Sequence, residues 1–300
     1  MGHSLQILKP VLLVECILAI AVNVFIAAVQ IMKWKAVRSL DSCDQILFCL
    51  GISRSFYLTV IFITYFLDIS KHLILYATLE TAAFLSYFTN VWFITDLCVF
   101  YCVKIASYNH EVFIFIKTRI SRLVSWFTVT SVLTSVAFTI PCVWSSVVSS
   151  WQNEVSVFNR NVTLSDAGLQ KYINVQLIFF ILGSCIPFFI SCGSICLLIH
   201  SLWRHTRLMR CSGTGFRNPN IENHVGVVKN MGVFLFIQLI MFGCSLYSFF
   251  MLKCVDRSWQ LLSTILECGS FILHSAYMIY SNVKLNQAFS GMCHGLIRCI

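Results

Sequence analysis

Two pairs of side chains with ligand-binding chemistry lie within long apolar stretches of this 300-residue chain. Trp92 and Asp96 are four residues apart, and Thr264 and Glu267 are three apart, so on a helix each pair shares one face. A buried carboxylate needs a partner, such as a hydroxyl, a Lys or Arg side chain, water or a cationic ligand. The pairs therefore predict a pocket for a small, largely apolar ligand, with further walls from Met241, Phe242 and Ser245. Ordinary interhelical packing is the alternative for Trp92 and Met241.

A second set of polar residues lies nearer the other ends of the apolar stretches. Ionisable groups at such positions normally face the interior of a helix bundle. Glu15 and Arg54 are predicted to pair, either as a structural clamp or within a network whose hydrogen bonds differ between two helix arrangements. The other members of this set are Asn23, Tyr101, Lys104, His205, Lys229, His274, Asn282 and Lys284.

The sequence contains none of the motifs that would indicate an enzyme or an ion channel. It contains no H-E-x-x-H or G-x-S-x-G motif and no Gly-rich phosphate loop. The eight histidines are scattered, and His200 and His205, five residues apart, do not share a helix face for a metal. No selectivity filter or ring of like charge is present. We expect a protein that is not an enzyme and has neither a metal site nor a cofactor.

The elements that must hold these residues are membrane-spanning helices. The chain is 58% hydrophobic and 11% charged, more apolar than a soluble domain of this size can bury. Seven stretches meet or exceed the roughly 20 residues that cross a bilayer as a helix. The prediction is an all-α membrane protein in which residues 1–300 form one seven-helix domain. Its spans cover about 8–32, 44–66, 79–106, 123–148, 172–203, 224–251 and 259–282.

Basic residues predict how the bundle is oriented. Of the 21 Lys and Arg residues, 14 fall in one set of links and six in the other, and Arg54 lies within a span. Because the richer side is normally cytoplasmic, the N-terminus is predicted outside and the C-terminus in the cytosol. The net charge of +9 then needs no nucleic-acid partner and suits anionic membrane lipid. The sequon at Asn161 falls in the predicted outer fourth link, which favours glycosylation there.

Short motifs from the first span to the tail resemble those of the type 2 taste receptors, the bitter receptors. Residues 100–106 read F-Y-C-V-K-I-A, similar to that family's F-Y-x-x-K-I-A, and 274–285 fit H-S-x-x-x-I-x-x-N-x-K-L. The D-R-Y, C-W-x-P and N-P-x-x-Y motifs of rhodopsin-type receptors are absent from the expected spans. Further matches are Glu15 with Asn23 to Ile26, residues 44–54, Leu198 to His205 with Met209, and His224 to Leu235.

The resemblance implies a plasma-membrane G-protein-coupled receptor that detects bitter small molecules and activates a gustducin-like heterotrimeric G protein. It places Trp92 at the family's ligand-contact Trp and Asp96 where many members carry Asn. Met241 stands where Tyr is frequent, and Thr264 where some members have Glu. The pocket would lie between spans three, five, six and seven, open to the outside. The resemblance also implies a glycosylated second outer loop, which Asn161 matches.

The cytoplasmic ends of spans three, five and six would present the G-protein surface, with Lys104, Arg204, His205 and Lys229. We expect Asp96 to bias the receptor toward amine-bearing or hydrogen-bond-donating ligands. A vomeronasal-type pheromone receptor is the alternative within the same architecture, and a small-molecule transporter is the alternative from another class. Whether the receptor forms homo- or hetero-oligomers is left open by the sequence.

Overall fold

The computed structural model is a bundle of long helices. It describes residues 2–67, 73–106, 108, 111–158, 166–212, 219–251 and 256–299. Asn161, the predicted glycosylation site, lies outside these residues. The helices are α1 (Gly2–Val37), α2 (Ser42–Phe66), α3 (Leu73–Ile105), α4 (Glu111–Phe158), α5 (Asp166–Ser212), α6 (Pro219–Met251), α7 (Arg257–Ser281) and α8 (Val283–Cys299).

Seven of these helices, α1 to α7, are long and apolar enough to cross a bilayer. Each predicted span coincides with one of them to within a residue or lies inside it. The helices extend beyond the spans because the polar turns at their ends continue the same backbone geometry. The predicted all-α, seven-helix fold is therefore confirmed.

Neighbouring helices pack side by side, and α7 returns to α1, so that the bundle closes on itself. Helix α3 runs through the middle, in contact with α2, α4 and α5. Helix α4 is the most peripheral, and its outer face shows Trp126, Leu133, Ile140 and Trp144 at 61–69% exposure. Such apolar side chains are stable where the surrounding medium is hydrocarbon and not water.

Two glycines allow close contact between helices. A Cβ atom at Gly51 of α2 would lie 2.9 Å from the carbonyl oxygen of Asn23 on α1. At Gly183 of α5 it would lie 2.6 Å from the ring of Phe88 on α3. Since membrane helices gain little from the hydrophobic effect between them, small residues at such contacts increase the packing that holds them together.

The eighth helix was not among the predicted elements. Helix α8 follows α7 directly, and the side chain of Asn282 caps it by accepting hydrogen bonds from the backbone N–H groups of Lys284 (3.1 Å) and Leu285 (3.3 Å). Leu285 is fully buried, and the rings of Phe289 and Phe25 on α1 meet edge to face at 5.8 Å. One face of α8 is therefore apolar and packs on the bundle, which a search for long apolar stretches does not detect.

Candidate functional site

A small cavity lies where α3, α5, α6 and α7 converge. Its volume is about 10 Å³, enough for about one water molecule. The resemblance implied a ligand pocket between the same four helices, and three of the predicted α6 residues line this cavity: Met241, Phe242 and Ser245. Helix α3 contributes Tyr87, Asn90, Val91 and Ile94, and the remaining lining residues are Phe188, Gln238 and Phe271.

Aromatic contacts close this cavity on the α5–α6 side. The rings of Phe188 and Phe242 stack at 4.0 Å with an interplanar angle of 8°. One helical turn away, Gln238 of α6 contacts the hydroxyl of Ser191 on α5. Tyr87 of α3 also lines the cavity and shares a hydrogen bond with Ser184 of α5 at 3.3 Å. The Phe188–Phe242 and Gln238–Ser191 contacts hold α5 and α6 together.

Glu267 lies directly behind the cavity wall. Its carboxylate accepts a hydrogen bond from the hydroxyl of Tyr57 at 3.1 Å and further bonds from Ser248 and from the cavity residue Ser245. Thr264, one turn earlier, shares a hydrogen bond with Tyr65 of α2 at 2.8 Å. Neither predicted α7 residue lines the cavity. Glu267 is linked to the cavity by Ser245, whereas Thr264 is held against α2.

Trp92 and Asp96 lie on the other side of α3. The hydroxyl of Ser131 on α4 donates to the Asp96 carboxylate at 2.7 Å. Trp92 precedes Asp96 by one turn and shares its face, and its indole N–H is buried with no hydrogen-bond partner. The cavity residues Tyr87, Asn90, Val91 and Ile94 follow the opposite face of the same helix. Trp92 and Asp96 share one face of α3, as their spacing predicts, but that face meets α4 and not the cavity.

Arg54 joins three helices at the centre of the bundle. Its Nε donates to the side-chain oxygen of Asn90 on α3, and its Nη1 donates to the hydroxyl of Ser275 on α7, each at 2.8 Å. Ser275 in turn donates to Asn23 on α1 at 2.9 Å. The predicted Glu15–Arg54 pair is therefore wrong. Glu15 instead faces the α7 backbone, where its carboxylate lies 3.6 Å from a Cβ position at Gly269.

Two other residues of the predicted network, His274 and Tyr101, also make contacts between helices. His274 is fully buried, and its ring meets that of Phe234 on α6 at 4.8 Å. Tyr101 of α3 contacts the thiol of Cys43 on α2 at 3.4 Å. These contacts connect α2, α3, α6 and α7, although the sequence could not specify which pairs would meet. The Tyr277 hydroxyl adds a bond to the backbone oxygen of Asn230 at 2.9 Å.

The ends of α3, α5 and α6 meet at one end of the bundle, which we call the basic end. A small apolar cluster that includes Cys102, Leu198 and Leu202 packs them together. Three of the predicted basic residues, Lys104, Arg204 and Lys229, are exposed there. The side chain of the fourth, His205, is outside the described residues. The three residues come from three different helices, α3, α5 and α6.

An ion cluster at the same end ties α8 to the α1–α2 link. The Lys33 side chain bridges Asp41, at 2.8 Å, and Asp44, and Lys284 of α8 reaches Asp41 at 3.1 Å. Hydrogen bonds from Lys33 and Lys284 lower the pKa of Asp41 to about 2. The predicted network residue Lys284 therefore acts between α8 and the link, and not within the bundle.

Comparison with known proteins agrees with this architecture. The chain matches the family model for taste receptor proteins (TAS2R) over residues 1–296. It is 33% identical to "Taste receptor type 2 member 4" of Homo sapiens, over 73% of this chain and 74% of that protein. It is 29% identical to "Taste receptor type 2 member 40" of Gallus gallus, over 95% and 94%, and 32% identical to member 7 of Papio hamadryas, over 89% and 86%.

A match along nearly the whole chain and seven membrane-length helices lead to the same conclusion. The chain belongs to the TAS2R family of taste receptors, multi-pass plasma-membrane G-protein-coupled receptors for bitter compounds, and is not an enzyme.

Proposed function

We propose that this receptor binds its bitter agonists at the cavity between α3, α5, α6 and α7 and signals through a gustducin-like heterotrimeric G protein at the basic end. The observation that carries the proposal is the cavity itself, which combines aromatic walls with the polar groups of Asn90, Gln238 and Ser245. Small-molecule sites have this composition, an apolar lining with a few placed polar groups.

Agonist binding in this proposal requires the cavity to open. A drug-sized ligand needs about 300 Å³ or more, far beyond the 10 Å³ of this arrangement. The stacked pair Phe188–Phe242 must therefore separate, which moves α6 relative to α5. A ligand favours the opened packing only by binding it more tightly than the closed one. Movement of α6 would change the basic end, where Lys229 of α6, Lys104 of α3 and Arg204 of α5 are exposed.

The pocket is tested by one substitution made at two positions of α6. Phe242→Leu removes an aromatic ring that lines the cavity. Phe236→Leu removes the same ring from the outer face of α6, where the side chain is 63% exposed. An aromatic pair contributes about 1 kcal/mol, and the Phe188–Phe242 stack stabilises the closed packing. Phe242→Leu therefore makes opening easier and should lower the EC50 for calcium release about fivefold. Phe236→Leu should leave it unchanged. Equal EC50 values for all three proteins at equal surface expression would refute this pocket.

The partner is tested in the same cells. Calcium release on agonist addition should require a gustducin-type α subunit, and a response of full size without it would exclude that partner. For the outer surface we propose glycosylation at Asn161, which predicts a faster-migrating, glycosidase-insensitive band for Asn161→Gln.

A further inference from the structure

The guanidinium of Arg54 is buried at the centre of the bundle without an acidic partner. The residue is 1% exposed, and an arginine stays protonated inside proteins. Its hydrogen bonds go to Asn90, Ser275 and the thioether of Met278, which are all neutral. Among the described residues, the ion pairs involve Lys33 and Lys284 and not Arg54. A buried charge without a counter-charge is costly, so a negative charge bound here would be stabilising.

Unused hydrogen-bond donors lie at the same junction. Arg54 Nη2 and Asn90 Nδ2 are both buried and have no partner. Because the Asn90 oxygen accepts from Arg54 Nε, the orientation of the amide is fixed, and its NH₂ group remains a free donor. Nη2 shares one edge of the guanidinium with Nε, so it lies on the side that faces Asn90. Both free donors therefore belong to groups joined by the Arg54 Nε–Asn90 hydrogen bond.

His274 adds ring nitrogens to this region. The residue is fully buried, and neither Nδ1 nor Nε2 has a hydrogen-bond partner. It adjoins Ser275, which accepts the bond from Arg54 Nη1. A neutral imidazole always carries one N–H, and a protonated one carries two, so His274 can donate to a bound group in either state.

A small cavity adjoins one of the donor residues, Asn90. Asn90 and Phe271 both line the 10 Å³ cavity, and the Arg54 guanidinium lies over the Phe271 ring at 5.7 Å from its centre. That volume holds about one water molecule and therefore restricts the occupant to one or a few atoms. A carboxylate-bearing or phosphate-bearing molecule is too large.

We propose that Arg54, Asn90 and His274 form a binding site for a small monovalent anion, of which chloride is the abundant example. A water molecule could accept from the same donors but would leave the positive charge uncompensated. A halide accepts several hydrogen bonds and neutralises the charge. Since Arg54 bonds α3 and α7 and is linked to α1 through Ser275 and Asn23, the bound anion would stabilise the packing of four helices.

The test is the thermal stability of the purified receptor, without agonist, in sodium chloride and in sodium gluconate at equal ionic strength. A ligand that binds only the folded state stabilises it by mass action. At ten times its Kd, chloride should raise Tm by about 3–5 °C. Bromide should act like chloride, and choline chloride like sodium chloride. Equal Tm values in all these salts would refute the site and indicate that water satisfies the donors.

Asn90→Asp is the decisive variant, because it supplies a carboxylate beside Arg54 from within the chain. Its Tm should be the same in chloride and gluconate. Ser131→Ala changes a residue that faces away from this junction and should keep the chloride response. A chloride response that persists in Asn90→Asp would identify a general salt effect and refute the proposal. If that variant does not fold, the halide series on the unmodified receptor still decides. The readout is stability, so the result is independent of the agonist pocket.

Discussion

At the residue scale, Ser131 is the side chain on which the buried carboxylate of Asp96 depends. Ser131→Ala removes the 2.7 Å hydrogen bond and leaves the carboxylate without that partner, at a cost of about 1–3 kcal/mol. We expect a lower Tm and less receptor at the cell surface, with the EC50 of the surface receptor unchanged because both residues lie away from the cavity. A Tm equal to that of the unmodified receptor would contradict this expectation.

Asp96→Asn is the matched variant, since its amide oxygen can still accept from Ser131. Its stability should be closer to that of the unmodified receptor. It also tests the expectation, drawn from the sequence, that Asp96 recognises amine-bearing ligands. Selective loss of responses to basic agonists, at normal surface expression, would show that Asp96 meets the ligand after all.

The sequence predicted the chemistry of individual residues better than their direction. Trp92 and Asp96 share a face, as their spacing requires, but α3 is apolar nearly all round, and no solvent-exposed face shows which side meets α4. Tyr87 and Asn90 were missed as cavity residues. With Val91 and Ile94 they follow one face of α3 at helical spacing. The sequence alone does not show that this face meets the cavity, because that requires knowing at least one contact between α3 and another helix.

At the element scale, the contact between α5 and α3 depends on a glycine. Gly183→Ala would place a methyl group 2.6 Å from the ring of Phe88, which is fully buried and cannot easily move. Overpacking of this kind costs about 1–3 kcal/mol, and we expect a lower Tm. Gly193→Ala on the same helix is the control, because nothing lies within 4 Å of its Cβ position. There alanine should be neutral or stabilising, by up to about 1 kcal/mol. Equal losses in both variants would contradict the packing.

The docking of α8 depends in part on the ion cluster around Asp41. Asp41→Asn should raise amide hydrogen exchange in residues 284–294 by at most about fivefold, because exposed pairs contribute no more than about 1 kcal/mol. Salt at 1 M should bring the unmodified receptor to the same rate by screening. Since the pKa of Asp41 is lowered to about 2, its contribution should persist from neutral pH down to about 4 and disappear as the pH falls through 2. Exchange that is independent of salt would exclude this role.

At the scale of the whole molecule, the distribution of basic residues makes a topological prediction. An epitope tag at the N-terminus should be reached by antibody on intact cells, and one at the C-terminus only after permeabilisation. Labelling of both tags, or of neither, on intact cells would be incompatible with seven crossings and this orientation. A tag inserted at residue 214, between α5 and α6, should behave like the C-terminal one.

The number and order of the crossing helices could be predicted from hydropathy because the bilayer imposes a length on each of them. Their arrangement could not. Arg54 meets Asn90 and Ser275, 36 and 221 residues away, and no local pattern specifies partners so far apart. Hydropathy also missed α8, because the apolar residues of its one apolar face are separated along the chain by polar residues.

The contact between Gly51 and Asn23 has a consequence for how the receptor is made. We expect the first two helices to pack together once both have left the ribosome, because the close approach at Gly51 involves only α1 and α2. The last helix carries Ser275, the hydrogen-bond donor to Asn23 from 252 positions downstream. Assembly should therefore begin with an early hairpin of α1 and α2 and finish when α7 joins it. In a nascent chain that stops before α7, the Asn23 side-chain oxygen would lack the Ser275 hydroxyl, and we expect the quality-control machinery of the cell to retain such chains.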